Sequence, residues 1–391
     1  MGRAATIAAL GAAQTLAWAS SYYLPAILAA PMAADLGVAT PTVFAAFSLA
    51  LAVSALVGAK AGAAIDRLGG RPVLVATSLV FALGLAGLGL SQGLYSLLAA
   101  WVVLGVAMGC GLYDSAFAAL VRLYGKDARS SITGVTLIAG FASTVGWPVT
   151  ALLEASFDWR VACYGWAAVH LVVGLPLNWL LPGVRRAGAD AKATEAEPAA
   201  SAPSTVPGSR APLVAAVSLG IVFAGTSFVS TAIAAHLPGL MAAAGASAAT
   251  AVLVASLIGP AQVAARLLEF GFMRRLDPLM SARVAVAMHP VGAAALLVAG
   301  PVAAPVFAVL HGAGNGLMTI TKGALPLSTL GHQGYGRRQG LLVAPARASQ
   351  ALAPWIFGLV LARWSQWALV LTLSLSVTAM LALLLMRRAR R

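Results

Sequence analysis

Charge is what this chain most lacks. Charged residues make up 9% of its 391 positions, and only 11 of them are acidic, whereas a soluble domain carries about 25%. A water-soluble core is thereby excluded. Cysteine is nearly absent: Cys110 and Cys163 are the only two, and both fall inside long apolar runs, which argues against a disulfide framework or a metal site. There is no G-x-x-x-x-G-K-[ST] phosphate loop, so ATP is not expected to drive the protein directly. H-E-x-x-H, C-x-x-C and G-x-S-x-G are missing too, and the five histidines are scattered one to a segment. Nothing assembles a hydrolytic or redox centre, so no catalytic residue, cofactor or metal is expected.

Hydrocarbon fills the space instead, with 60% of residues hydrophobic. Apolar segments fall at 5–29, 41–64, 73–91, 94–123, 131–153 and 160–182, and resume at 212–235, 247–270, 280–300, 302–328, 340–362 and 367–386. At about 20 residues per crossing, these are transmembrane helices, about twelve in all. The runs are continuous rather than alternating, which disfavours a spanning β-barrel. The first segment follows Arg3 and contains Ala17-Trp18-Ala19, as a secretory signal would. It is longer than a signal's apolar core and opens a series of spans, so it is read as a retained first helix.

The stretch 183–211 is the long polar interruption, with Arg185, Arg186, Asp190, Lys192, Glu195, Glu197 and several Ser and Pro. Its composition suits a solvated linker. The expected organisation is all-α and polytopic: an N-terminal six-helix bundle (1–182), a cytoplasmic linker (183–211) and a C-terminal six-helix bundle (212–391). Duplicated bundles of this kind carry transport sites between their halves near the bilayer midplane.

The formal charge of +14 reads as topology rather than as a nucleic-acid surface. Loops on one side hold Arg67 and Arg71, Lys126 and Arg129, Arg185 to Arg210, Arg274 and Arg275, and Arg337 and Arg338, and the tail adds Arg387 to Arg391; the other side holds Arg160 and Arg363. Positive charge collects on the cytoplasmic side. Both termini are therefore expected in the cytoplasm of a multi-pass protein of the cell inner membrane. The halves echo one another, with Trp159-Arg160 before the sixth span and Arg363-Trp364 before the twelfth.

Between the second and third spans lies Gly62-Ala-Ala-Ile-Asp66-Arg67-Leu-Gly69-Gly-Arg71-Pro72. Glycines allow a tight turn, and Asp66 can hold the N-terminus of the next helix. The pattern G-x-x-x-D-R-x-G-x-R resembles the loop signature of the major facilitator superfamily and stands where that family has it. A decayed counterpart follows in Gly271-Phe-Met-Arg274-Arg275-Leu-Asp277. The resemblance implies two lobes that rock about a central site. It also implies a latch in which Asp66 and Arg67, with Gly62, Gly69 and Arg71 shaping the hairpin, pair with Arg122 or the cytoplasmic tip of the eleventh helix when the protein is open outward.

A charge at a helix centre costs about 3 kcal/mol or more, so polar groups inside the spans point to function. In the eighth span Gln262, Arg266 and Glu269 share one helical face. This is either a local Arg266–Glu269 ion pair or a cation aimed at an anionic substrate. The context Ala-Ala-Arg266-Leu-Leu-Glu-Phe-Gly271 is similar to the helix-8 arginine region of the superfamily's monocarboxylate and oxalate–formate branches, though the proline that often follows is absent. That likeness implies that Arg266 binds a carboxylate. In the tenth span His311, Asn315 and Lys322 fall within about 40° of one another on a helical wheel, with Met318 and Thr319 alongside. Such a stripe should face a cavity, although snorkelling by Lys322 and a packing bond for His311 are the bland reading.

Tyr113 and Asp114 lie well inside the fourth span, with Arg122 further on. Burial disfavours a charged carboxylate unless a cation is near. Asp114 is therefore either the first choice for proton coupling, with Glu269 second, or a structural partner of a cation on another helix. The eleventh span offers Arg347 and Gln350, with Pro345 as a local break; the first offers Gln14 and the Tyr22-Tyr23 pair, which reads as interfacial belt. His170, His236 and His289 each stand alone and are expected to serve packing or interface roles. Gly140 to Pro148 is reminiscent of the drug-antiporter motif without its final glycine pair.

The expected function is secondary active transport of a small organic anion by alternating access with proton coupling. Arg266, His311, Asn315, Lys322, Arg347 and Tyr113 would bind substrate. The rival is a proton-driven exporter of lipophilic drugs or metabolites, and the remote one a membrane-embedded lipid-modifying enzyme. Expected partners are a small molecule, protons and the bilayer; no nucleic acid is expected, and the protein is read as a monomer.

Overall fold

The computed structural model describes residues 1–183, 211–271, 277–330 and 335–389. Among these every regular element is helical: α1 (Arg3–Ser21), α2 (Pro25–Asp35), α3 (Thr40–Leu68), α4 (Gly70–Gly89), α5 (Leu94–Gly111), α6 (Tyr113–Tyr124), α7 (Ala128–Ala139), α8 (Ala142–Ser156), α9 (Trp159–Val169), α10 (Leu175–Trp179), α11 (Ala211–Ala243), α12 (Ala248–Ser256), α13 (Ile258–Gly271), α14 (Pro278–Ala299), α15 (Ala304–Leu330), α16 (Tyr335–Trp364) and α17 (Leu369–Ala389). In lipid the backbone must satisfy itself, and a helix does so within one segment.

Seventeen helices make twelve spans, because five spans are broken. Pro25 opens α2 and has no N–H to give the preceding turn, so the first span kinks at Tyr22 to Leu24. In the fourth span Leu112 leaves the helix (φ −83°, ψ −168°). The carbonyls loosened there are taken up: Gln14 Nε2 donates to Gly111 O at 2.6 Å, and Ser115 Oγ donates to Gly109 O at 3.2 Å. In the eighth span, broken at Leu257, Thr144 Oγ1 donates to Ser256 O at 2.9 Å. The sixth span passes from α9 to α10 through a π turn, His170–Gly174, just before Pro176. The fifth breaks at Gly140 and Phe141 between α7 and α8. By contrast, Pro345 lies inside an unbroken α16, so the break expected there is not found.

α1 to α10 form one six-span bundle and α11 to α17 the other. The expected linker, 183–211, lies outside the described residues apart from Gly183 and Ala211. The main contacts between bundles run α3 to α16, α8 to α12 and α13, and α2 to α11. At the end away from the Asp66 hairpin they close tightly. The Phe44 and His236 rings lie 3.8 Å apart. The Trp355 amide donates to Ser48 Oγ across the bundles at 3.2 Å, while His236 Nε2 is held within its own bundle by Pro354 O at 2.8 Å. Also at that end, Asp35 accepts from Arg160 at 2.7 Å and from the Trp159 indole at 3.2 Å.

At the hairpin itself Gly69 has φ +90°, a conformation that side chains rarely tolerate, and it joins α3 directly to α4. Asp66 and Arg67 are exposed in the last turn of α3. Asp66 does not cap α4, whose N-terminus has no side-chain cap bond. Arg71 lies 5.0 Å over the Trp179 ring, closing the hairpin against its own half.

Close helix contact at glycine sets the C-terminal site. A Cβ on Gly312 would lie 2.7 Å from Ile258 O, and one on Gly316 would lie 2.5 Å from Gln262 O. Both obstacles are backbone, so α15 rides directly on α13 and brings Asn315 and Thr319 beside Gln262 and Arg266. Gly316→Val is expected to separate the pair at a cost of about 1–3 kcal/mol, read as a lowered unfolding temperature in detergent.

Candidate functional site

Between the bundles lies a cavity with two lobes of about 180 Å³ and 350 Å³. Trp18, Tyr22, Tyr113, Ser227, Thr319, Lys322 and Gln350 line both lobes, so they share a wall. The kinks in the first and fourth spans put it there. Tyr22 and Tyr23 sit at the first-span kink and Tyr113 just after the fourth-span break, and all three turn inward.

Arg266, Gln262, His311 and Asn315 line the smaller lobe with Tyr23 and Trp147. Arg266 is 7% exposed. Its hydrogen bonds go to neutral oxygens: Nη1 to Thr136 O of the other bundle at 2.6 Å, and Nη2 to Gln262 Oε1 at 3.3 Å and Thr319 Oγ1 at 3.5 Å. Its buried Nε has no hydrogen-bond partner. Among the described residues no carboxylate lies within ion-pair distance of it, so the expected Arg266–Glu269 pair is not formed. Glu269 is half-buried one turn further along α13 and lines neither lobe.

The tenth-span stripe faces the cavity. Lys322 Nζ donates to Ser227 Oγ at 2.9 Å, and Asn315 Oδ1 accepts from Ser230 Oγ at 3.0 Å. Met318 instead faces a small void inside the C-terminal bundle.

Asp114 and Arg347 line the larger lobe and pair across the two bundles at 2.8 Å. Asp114 is therefore not the isolated buried carboxylate of the first expectation: its side chain is 68% exposed and that of Arg347 41%. The alternative expectation, a cation on another helix, describes the geometry. So exposed a pair, at the hairpin side of a cavity sealed at the other end, marks the open mouth.

Two other expectations change. Tyr22 is 5% exposed and bonds Thr231 Oγ1 at 2.7 Å and Gln350 Nε2 at 3.3 Å, both in the opposite half. With Tyr23 on the cavity wall, neither tyrosine is a belt residue. His289 does not stand alone, since its Nδ1 meets His311 Nδ1 at 2.8 Å. Arg122 and Asp66, both exposed, make no ion pair with one another; the tip of the eleventh helix lies outside the described residues. Trp18, Ser227, Ser230 and Thr231 were not foreseen. A serine or tryptophan in an apolar run carries no sequence signal of which neighbour it meets.

A twelve-span bundle in two halves, closed at one end around a polar cavity, defines a membrane transporter of the alternating-access type. The family profile of the Major Facilitator Superfamily matches residues 10–334, and the chain belongs to that superfamily. It is thus a secondary transporter and not an enzyme. The fold is shared with a bacterial homologue of the human lysosomal transporter Spinster, solved inward-facing and occupied (TM-score 0.72, 14% identity, 99% of this chain and 97% of that one). The same homologue, inward-facing and unoccupied, matches at TM-score 0.71 and 15% identity over 99% and 97% of the two chains. A D-xylose–proton symporter matches at TM-score 0.73 and 14% identity over 98% and 96%.

Proposed function

We propose that the transported solute is a small organic anion carrying a carboxylate, moved with proton coupling. One observation carries this reading: Arg266 is buried in the cavity wall and bonded only to neutral groups. A buried charge held without a counter-charge is costly, and an incoming carboxylate removes that cost. The remaining charges agree. Arg266, Lys322 and Arg347 line the lobes, while among the described residues Asp114 is the one lining carboxylate and is already engaged by Arg347. Tyr113, His311 and Asn315 supply neutral donors and acceptors around the anion.

Asp114 is the coupling residue in this scheme. Its protonation releases Arg347, uncouples the two bundles at the mouth and offers Arg347 to the substrate. Proton coupling is named for the structurally similar xylose symporter, which supports the same direction here. The Arg- and Lys-rich loops support a reading in which the mouth and both termini lie in the cytoplasm of an inner-membrane monomer built from bundles 1–182 and 212–391, joined by the linker 183–211.

Among the described residues Asp66 and Arg67 form no ion pair, which supports a latch that engages in the outward-open form. Asp66→Asn should therefore raise the inward-open population while leaving substrate affinity within about twofold. Alkylation of a single cysteine placed in the cavity wall reads the first, and competition binding the second. Unchanged labelling would remove the latch.

An aromatic wall of Trp18, Tyr22, Tyr23, Tyr113 and Trp147 favours the second reading, export of lipophilic compounds. Proteoliposome counterflow separates the two. Labelled monocarboxylates and dicarboxylates should exchange and a neutral sugar should not. Resistance to lipophilic cations without carboxylate exchange would favour the exporter.

A further inference from the structure

The geometry points to a second proton site, shared between His289 and His311 behind the cavity wall. Both rings are buried, 6% and 4% exposed, and their Nδ1 atoms lie 2.8 Å apart. Two imidazole nitrogens at that distance must hold a proton between them, because one has to donate and the other accept. Phe307 is packed against both rings, near-parallel to His311 at 5.8 Å and edge-on to His289 at 5.6 Å, which fixes their orientation.

The two histidines have different surroundings. His311 lines the cavity, and with its Nδ1 engaged, Nε2 is the nitrogen it can offer there. His289 lies behind it, against a void of about 30 Å³ lined also by Thr226, Ser230 and Ser376. Its Nε2 is buried without a partner. The pair is thus open on one side and closed on the other: a proton can be taken up and returned, but not passed on.

The proton balance is simple. The neutral pair carries two N–H protons, one of them between the Nδ1 atoms. With His311 as the Nδ1 donor, its Nε2 lone pair accepts a proton from cavity water. The bridging proton then moves from His311 Nδ1 to His289 Nδ1, and the pair holds three N–H protons and one positive charge. No bond between heavy atoms changes, and release is the reverse.

Neighbouring charge decides when this happens. Arg266 on α13 and Lys322 on α15 reach the same lobe. On α14 the other ionisable group, Arg283, is turned to Leu383 O at 2.9 Å. On α11 it is His236, committed to Pro354 O at the sealed end. From α16 comes Arg347, paired with Asp114 in the other lobe. α12, and α17 up to Met386, carry no ionisable side chain. Glu269, the carboxylate of α13, lines neither lobe. Among the described residues the pair therefore shares its lobe with cations and no carboxylate, so its charge is repelled until an anion occupies the lobe. Anion and proton then stabilise each other, which is reciprocal coupling. This rests on the anion reading for its counter-charge, but its test needs no substrate.

Histidine-selective ¹⁵N spectra of the full-length protein in nanodiscs, with each ring assigned by a single His→Gln variant, provide that test. His289 and His311 should show nitrogen–nitrogen coupling across their shared proton and respond to acid as one unit. In Arg266→Gln, with one repelling charge gone, the pair should take up its proton in weaker acid than in the unsubstituted protein, while the His170 and His236 signals stay in place and report an intact fold. Rings that respond separately, a pair that stays neutral in both proteins, or a response unmoved by Arg266→Gln would each overturn the proposal. Organic-acid binding would stand or fall independently of that result.

Discussion

Arg266→Gln is expected to lower carboxylate uptake at limiting concentration about a hundredfold while leaving the protein folded. Loss of a desolvated, hydrogen-bonded partner of a charge costs about 2–5 kcal/mol, and about 3 kcal/mol corresponds to that factor. The fold should survive because Arg266 has no carboxylate that its removal would orphan; its bonds end on Thr136 O, Gln262 and Thr319. Arg266→Lys should recover only part of the loss, since an ammonium keeps the charge but not the planar fork that grips two oxygens. Uptake kinetics in proteoliposomes read the effect as a raised KM. An unimpaired Arg266→Gln transporter would dismiss the arginine.

Asp114→Asn is the second large effect, and of a different kind. The Asp114–Arg347 pair is widely exposed and so contributes only about 0–1 kcal/mol to stability. Its value lies in joining the bundles in one protonation state and not in the other. The variant should exchange labelled substrate across the membrane at close to the normal rate, because exchange requires no net proton movement. Accumulation driven by a pH gradient should fall about tenfold or more. Loss of both activities together would mean that Asp114 supports structure or substrate instead. Retention of both would remove it from coupling.

The spans were legible because lipid demands long apolar helices, and the polar stripe of the tenth was legible because 3.6 residues per turn put His311, Asn315 and Lys322 on one face. The kink at Pro25 could have been foreseen from its missing N–H. The break at Leu112 has no proline to announce it; there and at Leu257, Gln14 and Thr144 take up carbonyls from other spans, helped at Leu112 by Ser115 of the same span. Cross-helix partners were the least legible. Asp114 and Arg347 stand 233 positions apart, and His289 and His311 lie on adjacent helices 22 positions apart. No periodicity within one helix relates such residues, so the sequence left Asp114 open between a lone carboxylate and a partner of some cation elsewhere, and a paired histidine read as a packing or interface residue. The tyrosines at 22 and 23 were misread for a related reason, since without the kink they would sit near a membrane surface.

A carboxylate binding against Arg266 is the claim on which the remainder depends, and ligand-induced stabilisation tests it most directly. A ligand that binds the folded state raises the unfolding temperature by mass action. The purified protein and its Arg266→Gln variant should be melted against a panel of mono- and dicarboxylates, neutral sugars and lipophilic cations. The account predicts that at least one carboxylate stabilises the unsubstituted protein and not the variant. Stabilisation by sugars or lipophilic cations alone, or by a carboxylate equally in both proteins, would contradict it.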